Sequence, residues 1–309
     1  MIYDLAIIGG GPAGVAAGIY SARKKLNTLI ISDNFHGQSV VSAEIQNWIG
    51  IKSISGEALS KQLKDHLEDY RGENLTIKEN ETVTAVTKTD EGFEVNTNRD
   101  GHYSTKTVLI TTGGRRRKLK VTGADTYEQK GITYCASCDG PLFSGQDVVV
   151  VGGGNAGFGT AGQLLAYCQS VTLLESGEFR AEKITIDKLL TNPNFKAVAN
   201  VEIMEITGTQ FVNKIIYKNR QTDEVVELPT TGIFVEIGFE PNTDIIKNLV
   251  NRTPTGAIMV DHQHQTTSTP GVWAAGDSTD GLYHQNNIAV GDAVKAVEDI
   301  YGYLQKVKV

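Results

Sequence analysis

The 309-residue chain has only three cysteines, seven prolines and two tryptophans. So few cysteines cannot build a disulfide framework. Two of them, Cys135 and Cys138, stand as Cys-x-x-Cys, which in a reducing compartment points to redox or metal chemistry. Basic residues are short too: 29 Lys and Arg face 36 Asp and Glu, a formal charge of −7. No excess is left to neutralise nucleic-acid phosphates or anionic lipid. The run Arg115-Arg116-Arg117-Lys118 is the local exception and reads as a solvated hinge surface. No apolar stretch reaches transmembrane length. The start, Met1-Ile2-Tyr3-Asp4, enters a strand without a charged n-region, apolar h-region or cleavage site. The expectation is a cytoplasmic protein with neither nucleic acid nor membrane as partner.

What is abundant is glycine, 33 residues, with a hydrophobic fraction of 40%, as expected of a soluble α/β protein whose strands and helices meet in close turns. Two segments repeat one plan. Asp4-Leu5-Ala6-Ile7-Ile8 is followed by Gly9-Gly10-Gly11-Pro12-Ala13-Gly14, a helix to about Lys25 and a strand from Thr28 to Ser32. Asp147 to Val151 is followed by Gly152-Gly153-Gly154-Asn155-Ala156-Gly157, a helix to about Tyr167 and a strand from Ser170 to Leu174. In each GxGxxG the first glycine permits the turn, the second admits a pyrophosphate and the third lets helix pack on strand. An acidic residue follows roughly 20 residues on in both, Asp33 and Glu175, as ribose recognition requires. In the first copy the strand-end position itself is Ser32.

Between the two copies lie β-rich stretches, Leu75 to Thr87 and Gly92 to Asn98, and a strand from Thr107 through Thr112 to Gly113. A matching strand, Gly232 to Gly238, closes the second copy. Thr267 to Asp277 reads as a turn, a buried strand and a terminal acidic residue, and Ile288 to Leu304 as a last helix. The expected fold is α/β, with two Rossmann-like dinucleotide-binding domains and the second inserted into the first. The expected boundaries are 1–114 with 242–309, and 115–241.

The most specific signal is Tyr134-Cys135-Ala136-Ser137-Cys138-Asp139-Gly140-Pro141. A Cys-x-x-Cys at a helix start brings two sulfurs within bonding reach while the helix dipole favours the thiolate. A structural zinc site wants four ligands, and no second pair completes one, so no metal is expected. Cys168 reads as a small core residue.

The CASCDGP segment, the two glycine motifs in this order and the late Ala274-Ala275-Gly276-Asp277 resemble the low-molecular-weight thioredoxin reductases, over essentially the whole chain. They are also similar to the flavoprotein of the alkyl hydroperoxide reductase system, matched in its reductase part only. The resemblance implies FAD at Gly9, Gly11, Pro12, Ala13 and Gly14, with Ser32, Asp33, Gly37 and Gln38 along its approach. It implies Asn47, Thr112 and Gly113 near the cofactor, and Gly276-Asp277 at its ribityl and phosphate region. His284, Gln285, Asn286 and Ile288 would lie against the isoalloxazine. Gly152, Gly154, Asn155, Ala156, Gly157 and Glu175 would bind a nicotinamide nucleotide. Cys138 would meet the flavin, Cys135 would attack the substrate disulfide, and Asp139 would move the proton, or else merely favour the helix dipole. A homodimer, a thioredoxin-like protein substrate and rotation of one domain against the other are further implications.

Two departures matter. Family members specific for NADPH carry His-Arg-Arg where this chain has Leu174-Glu175-Ser176, although Phe179-Arg180-Ala181 is kept. A carboxylate about 4 Å from a phosphate charge feels roughly 4 kcal/mol of repulsion at an effective dielectric of ~20, less when solvated. NADH is the expected reductant, with NADPH disfavoured. At Phe158-Gly159-Thr160, relatives often have a glutamate, and bulk from Phe158 near the nucleotide approach is expected to weaken binding. The alternatives are supply of a peroxiredoxin through a small carrier, electrons from a ferredoxin-like donor without nicotinamide, and a non-enzymatic flavin redox sensor. The intact second glycine motif speaks against the ferredoxin route.

Overall fold

The computed structural model describes residues 2–42 and 44–307, which divide into two compact units, Met1–Arg115 with Glu240–Val309, and Arg116–Phe239. The first unit opens with β1 (Ile2–Ile8), α1 (Pro12–Arg23), β2 (Thr28–Ser32), α2 (Gly56–Glu68) and β3 (Leu75–Glu79), and continues through β4 (Val83–Thr89), β5 (Gly92–Thr97) and β6 (His102–Ile110). The β-rich stretch from Leu75 to Thr87 holds two strands. Asn80 adopts φ 59°, a left-handed conformation that ends β3, and β4 then turns back to pair antiparallel with β5.

β7 (Gly114–Arg116) leads out of the first unit. The second unit contains β8 (Ile132–Thr133), α3 (Ala136–Asp139), β9 (Asp147–Val151), α4 (Asn155–Leu164), β10 (Ser170–Leu174), α5 (Lys183–Leu190) and β11 (Phe195–Val198). An antiparallel trio follows, β12 (Val201–Gly208), β13 (Val212–Asn219) and β14 (Val225–Pro229), then β15 (Gly232–Val235). β16 (Phe239–Pro241) pairs with β7 at the crossings, and β17 (Val272–Ala274) and α6 (Asn286–Val307) complete the first unit. The junctions fall at 115/116 and 239/240, slightly displaced from the expected ones. Within the first unit Asn242 N–H donates to the Gly113 carbonyl at 2.9 Å, and within the second Arg117 N–H donates to that of Gly238 at 3.0 Å.

The large sheet runs β3-β2-β1-β6-β5-β4, with β17 beside β6. β1, β2, β3, β6 and β17 are parallel, and β1, β2 and the end of β6 face cores on both sides, which is why residues 5–8, 29–31 and 108–110 read as unbroken apolar runs. Leu5, Ile7 and Leu109 pack under α1 and α6, while Ala6, Ile8 and Val108 pack on the opposite face. Trp273 is buried and its indole N–H donates to Asp299 at 2.9 Å. The second unit's parallel sheet, β11-β10-β9-β15-β8, has the same two-sided burial, with Val149 and Val151 on one face and Val148 and Val150 on the other.

The chain's two helix-after-glycine turns are built alike. A Cβ on Gly14 would lie 1.9 Å from the Gly9 carbonyl oxygen, and one on Gly157 would lie 1.8 Å from that of Gly152. A Cβ on Gly11 or Gly154 meets nothing within 4 Å. The third glycine is thus a packing requirement and the second an opening for a ligand. Gly14→Ala is expected to cost the first unit about 1–3 kcal/mol by overpacking. Gly11→Ala should leave unfolding within about 0.5 kcal/mol of wild type while FAD uptake falls. Equal destabilisation by both, in chemical denaturation, would contradict that division.

Candidate active site

A cleft of about 780 Å³ lies at the C-terminal ends of β1 and β2 in the first unit, within the roughly 300–1,000 Å³ usual for cofactor sites. Gly9, Gly11, Pro12, Ala13, Ser32, Asp33, Gly37, Gln38, Thr112, Gly113, Asp277 and Asn286 line it. Gly14 and Gly276 act behind this lining, and Gly276 (φ 72°) approaches Ala13 and Ala289 closely. Pro12 opens α1 and no side chain caps its N-terminus, so the first-turn N–H groups face the opening. These features fit the pyrophosphate of FAD.

Asn47, Gln285 and His284 are not part of the cleft lining. Asn47 Nδ2 donates to Gln285 Oε1 at 3.1 Å, Asn287 Nδ2 to the Asn47 carbonyl at 2.7 Å, and Ser39 Oγ to Asn286 Oδ1 at 3.0 Å. The two loops therefore join into one rim at the start of α6, where Ile288 is exposed. Sequence reasoning missed the far end of the cleft, which includes Glu81, Thr82, Asp244, Arg252 and Thr255. They come from irregular segments with no motif spacing. Arg252 donates to Thr243 Oγ1 at 3.0 Å and to Asp244 at 3.2 Å.

In the second unit β8 pairs parallel with β15 and carries the chain to the cysteines at the sheet's C-terminal end. Cys135 and Cys138 form a disulfide with Cα atoms 5.3 Å apart. Cys135 caps α3, and Cys138 N–H donates to its Sγ at 3.2 Å. The Asp139 carboxyl accepts from the Thr133 hydroxyl. Burial pushes its pKa above the ordinary value, and the Thr133 hydrogen bond opposes that shift. Thr133 was not anticipated, because a hydroxyl six residues upstream has no motif signature. Tyr134 donates to Glu128 at 2.9 Å, and Lys118 lies 3.4 Å from that same carboxylate. Cys168 is buried, and burial together with Asp147 pushes its thiol up to about 11.

At the second glycine turn Gly152 has φ 124° and Gly154 caps α4. Asn155 and Ala156 are exposed in the first turn, and Asn155 Oδ1 accepts from Glu182 N–H at 2.9 Å. Glu175, following β10, is buried at 4% exposure. It accepts from Gly153 N–H, from Gly177 N–H at 3.1 Å and from the Ser176 hydroxyl at 3.0 Å, with Arg180 at 3.6 Å. Burial acts to raise its pKa, but these bonds outweigh it and keep the carboxylate ionised below the usual range. Phe158 is not in the nucleotide approach. It is wholly buried, edge-on to Phe179 and Phe195 at 5.3 and 6.1 Å between centroids, because its place on α4 points to the sheet. The basic run is also less solvated than expected: Arg116, 30% exposed, pairs with Glu236 at 3.1 Å and covers the Phe239 ring.

Two dinucleotide-type turns and a bonded cysteine pair in this topology are the features of a pyridine nucleotide-linked disulfide oxidoreductase. The chain belongs to the pyridine nucleotide-disulphide oxidoreductase family, whose profile matches residues 3–293. It is 38% identical over 303 residues to an NADH dehydrogenase of Bacillus subtilis, covering 98% of this chain and 58% of that one. An alkyl hydroperoxide reductase component of Pseudomonas aeruginosa is 36% identical over 304 residues, 98% of this chain and 58% of that one. The chain thus spans somewhat over half the length of the curated relatives it matches. Among solved structures, thioredoxin reductase from Streptococcus pyogenes MGAS5005 is 33% identical, covers 99% of both chains and superposes with a TM-score of 0.92. That from Giardia duodenalis is 29% identical, covers 98% of this chain and 99% of that one, and also gives 0.92. The fold is the two-domain FAD- and NAD(P)-binding fold of the thioredoxin reductases. Among the described residues no helix is long and apolar enough to cross a membrane, and no three His, Cys, Asp or Glu gather as metal ligands.

Asp139 ties this site to stability. Its native pKa is raised, so the stability it contributes is complete below the unfolded value and is lost as pH rises through the native value. Asp139→Asn cannot ionise. The melting temperature of the oxidised variant should exceed that of wild type by a margin that widens as pH rises from the ordinary aspartate value through the raised native one. A pH-independent difference would show that ionisation of Asp139 costs nothing.

Proposed function

We propose that this chain is a thioredoxin reductase-like flavoenzyme. It passes two electrons from NADH, in preference to NADPH, through FAD and the Cys135–Cys138 disulfide to a thioredoxin-like protein disulfide. The carrying observation is the cysteine pair in bonded form at the C-terminal end of β8, its neighbouring acid Asp139 held by Thr133. FAD, when bound, would accept the hydride equivalent and deliver two electrons. The chain's own groups do the rest. Two electrons and two protons open the disulfide to Cys135 and Cys138 thiols. The Cys138 N–H hydrogen bond to Cys135 Sγ favours a thiolate there, suited to attack the partner's disulfide. Cys138 then displaces the partner's sulfur and re-forms the internal disulfide. Asp139, with its raised pKa, is suited to hand a proton to the departing thiolate.

Glu175 supports the preference for NADH. Its carboxylate is ionised and fixed at the strand end, and Oε2, which accepts from Gly153 N–H, retains a second acceptor position for a ribose hydroxyl. Arg180, 76% exposed, offsets part of this charge. The open Gly154 and the inward Phe158 favour nicotinamide over an iron-sulfur donor. Relatives named as alkyl hydroperoxide reductase components favour, as a second reading, delivery to a peroxiredoxin through a small carrier. A cytoplasmic homodimer is part of the proposal, as is rotation of the inserted domain.

Cys135→Ser or Cys138→Ser should abolish disulfide reduction while FAD stays bound, and full turnover by either variant would remove the pair from the mechanism. Anaerobic titration, followed by the flavin absorbance, should show reduction at lower NADH than NADPH. Glu175→Arg with Ser176→Arg should shift the preference by about tenfold or more toward NADPH. A wild type that prefers NADPH tenfold refutes the Glu175 argument, and one reduced only by ferredoxin replaces the donor.

A further inference from the structure

Glu236 is a largely buried acid that no step above uses; burial pushes its pKa up, and Arg116 and the Thr160 hydrogen bond oppose that shift. It follows β15, and its side chain is 7% exposed. Thr160 donates to its Oε1 at 2.9 Å and Arg116 to its Oε2 at 3.1 Å. Its backbone N–H is fixed to the Val151 carbonyl at 2.7 Å, and its carbonyl borders Gly152. Ile233 and Val235 face one core and Phe234 the other, so alternation along the strand puts Glu236 on the face that carries Phe158 and α4.

The order β11-β10-β9-β15-β8 reverses at β9, and a nucleotide binds in the crevice at such a reversal, outside the C-terminal ends of the strands. Glu175 marks the β10 side as the adenosine end, and the α4 N-terminus takes the pyrophosphate. The nicotinamide must then run toward the end of β15, where Glu236 stands. Its ring carries one polar handle, a carboxamide with two N–H donors. A carboxylate has about four acceptor positions, and Thr160 and Arg116 occupy two.

We infer that Glu236 is a cofactor-orienting residue that accepts a hydrogen bond from the nicotinamide carboxamide, held for it by Thr160 and Arg116. This rests on the nicotinamide reading above.

The test compares binding of NAD⁺ and of ADP-ribose, which lacks the nicotinamide, to the oxidised FAD-loaded protein by calorimetry. Glu236→Ala should weaken NAD⁺ about tenfold while ADP-ribose stays within about twofold. If Glu236→Ala does not fold, Glu236→Met, close in volume but without an oxygen acceptor, is judged by the same two criteria. No loss, or equal loss for both ligands, overturns the assignment of Glu236 alone. A wild type that binds neither ligand removes the nicotinamide reading and this inference with it.

Discussion

The structure depends on how closely a helix can approach the strand it follows. At Gly9–Gly14 and at Gly152–Gly157 there is no space for one methyl group between helix backbone and turn carbonyl. That contact brings the N-terminus of α1 or α4 against the end of its strand, where uncapped N–H groups are aimed at whatever occupies the opening. A helix one ångström further out would still fold and would still bury Val15 or Ala161, but its dipole would no longer be directed at a phosphate. The packing constraint and the binding constraint are met by different glycines of the same turn.

The cysteine site shows a different economy. A carboxyl held by a single hydroxyl in a largely buried position is poor for stability, since ionisation there is penalised. The same penalty brings the group nearer to the pH at which it can exchange protons. Glu175 is the contrary case, buried but supplied with donors until the charge is the favoured form. One unit thus holds two acids whose surroundings drive them in opposite directions, one toward proton transfer and the other toward a permanent charge.

Much of this was readable in advance because the signals are local. Two glycine turns, each between an apolar run and an amphipathic stretch, fix strand, helix and anion site within a few residues, and Cys-x-x-Cys fixes its own geometry. What failed were inferences about direction. Phe158 was expected near the ligand because of its position in the motif, yet helix phase turns it to the core. Thr133, Arg252 and Glu236 were missed because their partners, Asp139, Thr243 and Thr160, are brought to them by sheet pairing and loop closure.

The third cysteine is the quiet counterpart of the bonded pair. Cys168 is buried and its thiol is held up to about 11, so at physiological pH almost none of it is thiolate. A disulfide that opens and closes in every cycle is exposed to scrambling whenever another nucleophilic sulfur is within reach. Keeping the remaining cysteine protonated and buried leaves the Cys135–Cys138 disulfide with no reactive internal thiol to exchange with, so that in the proposed cycle sulfur exchange would be directed outward.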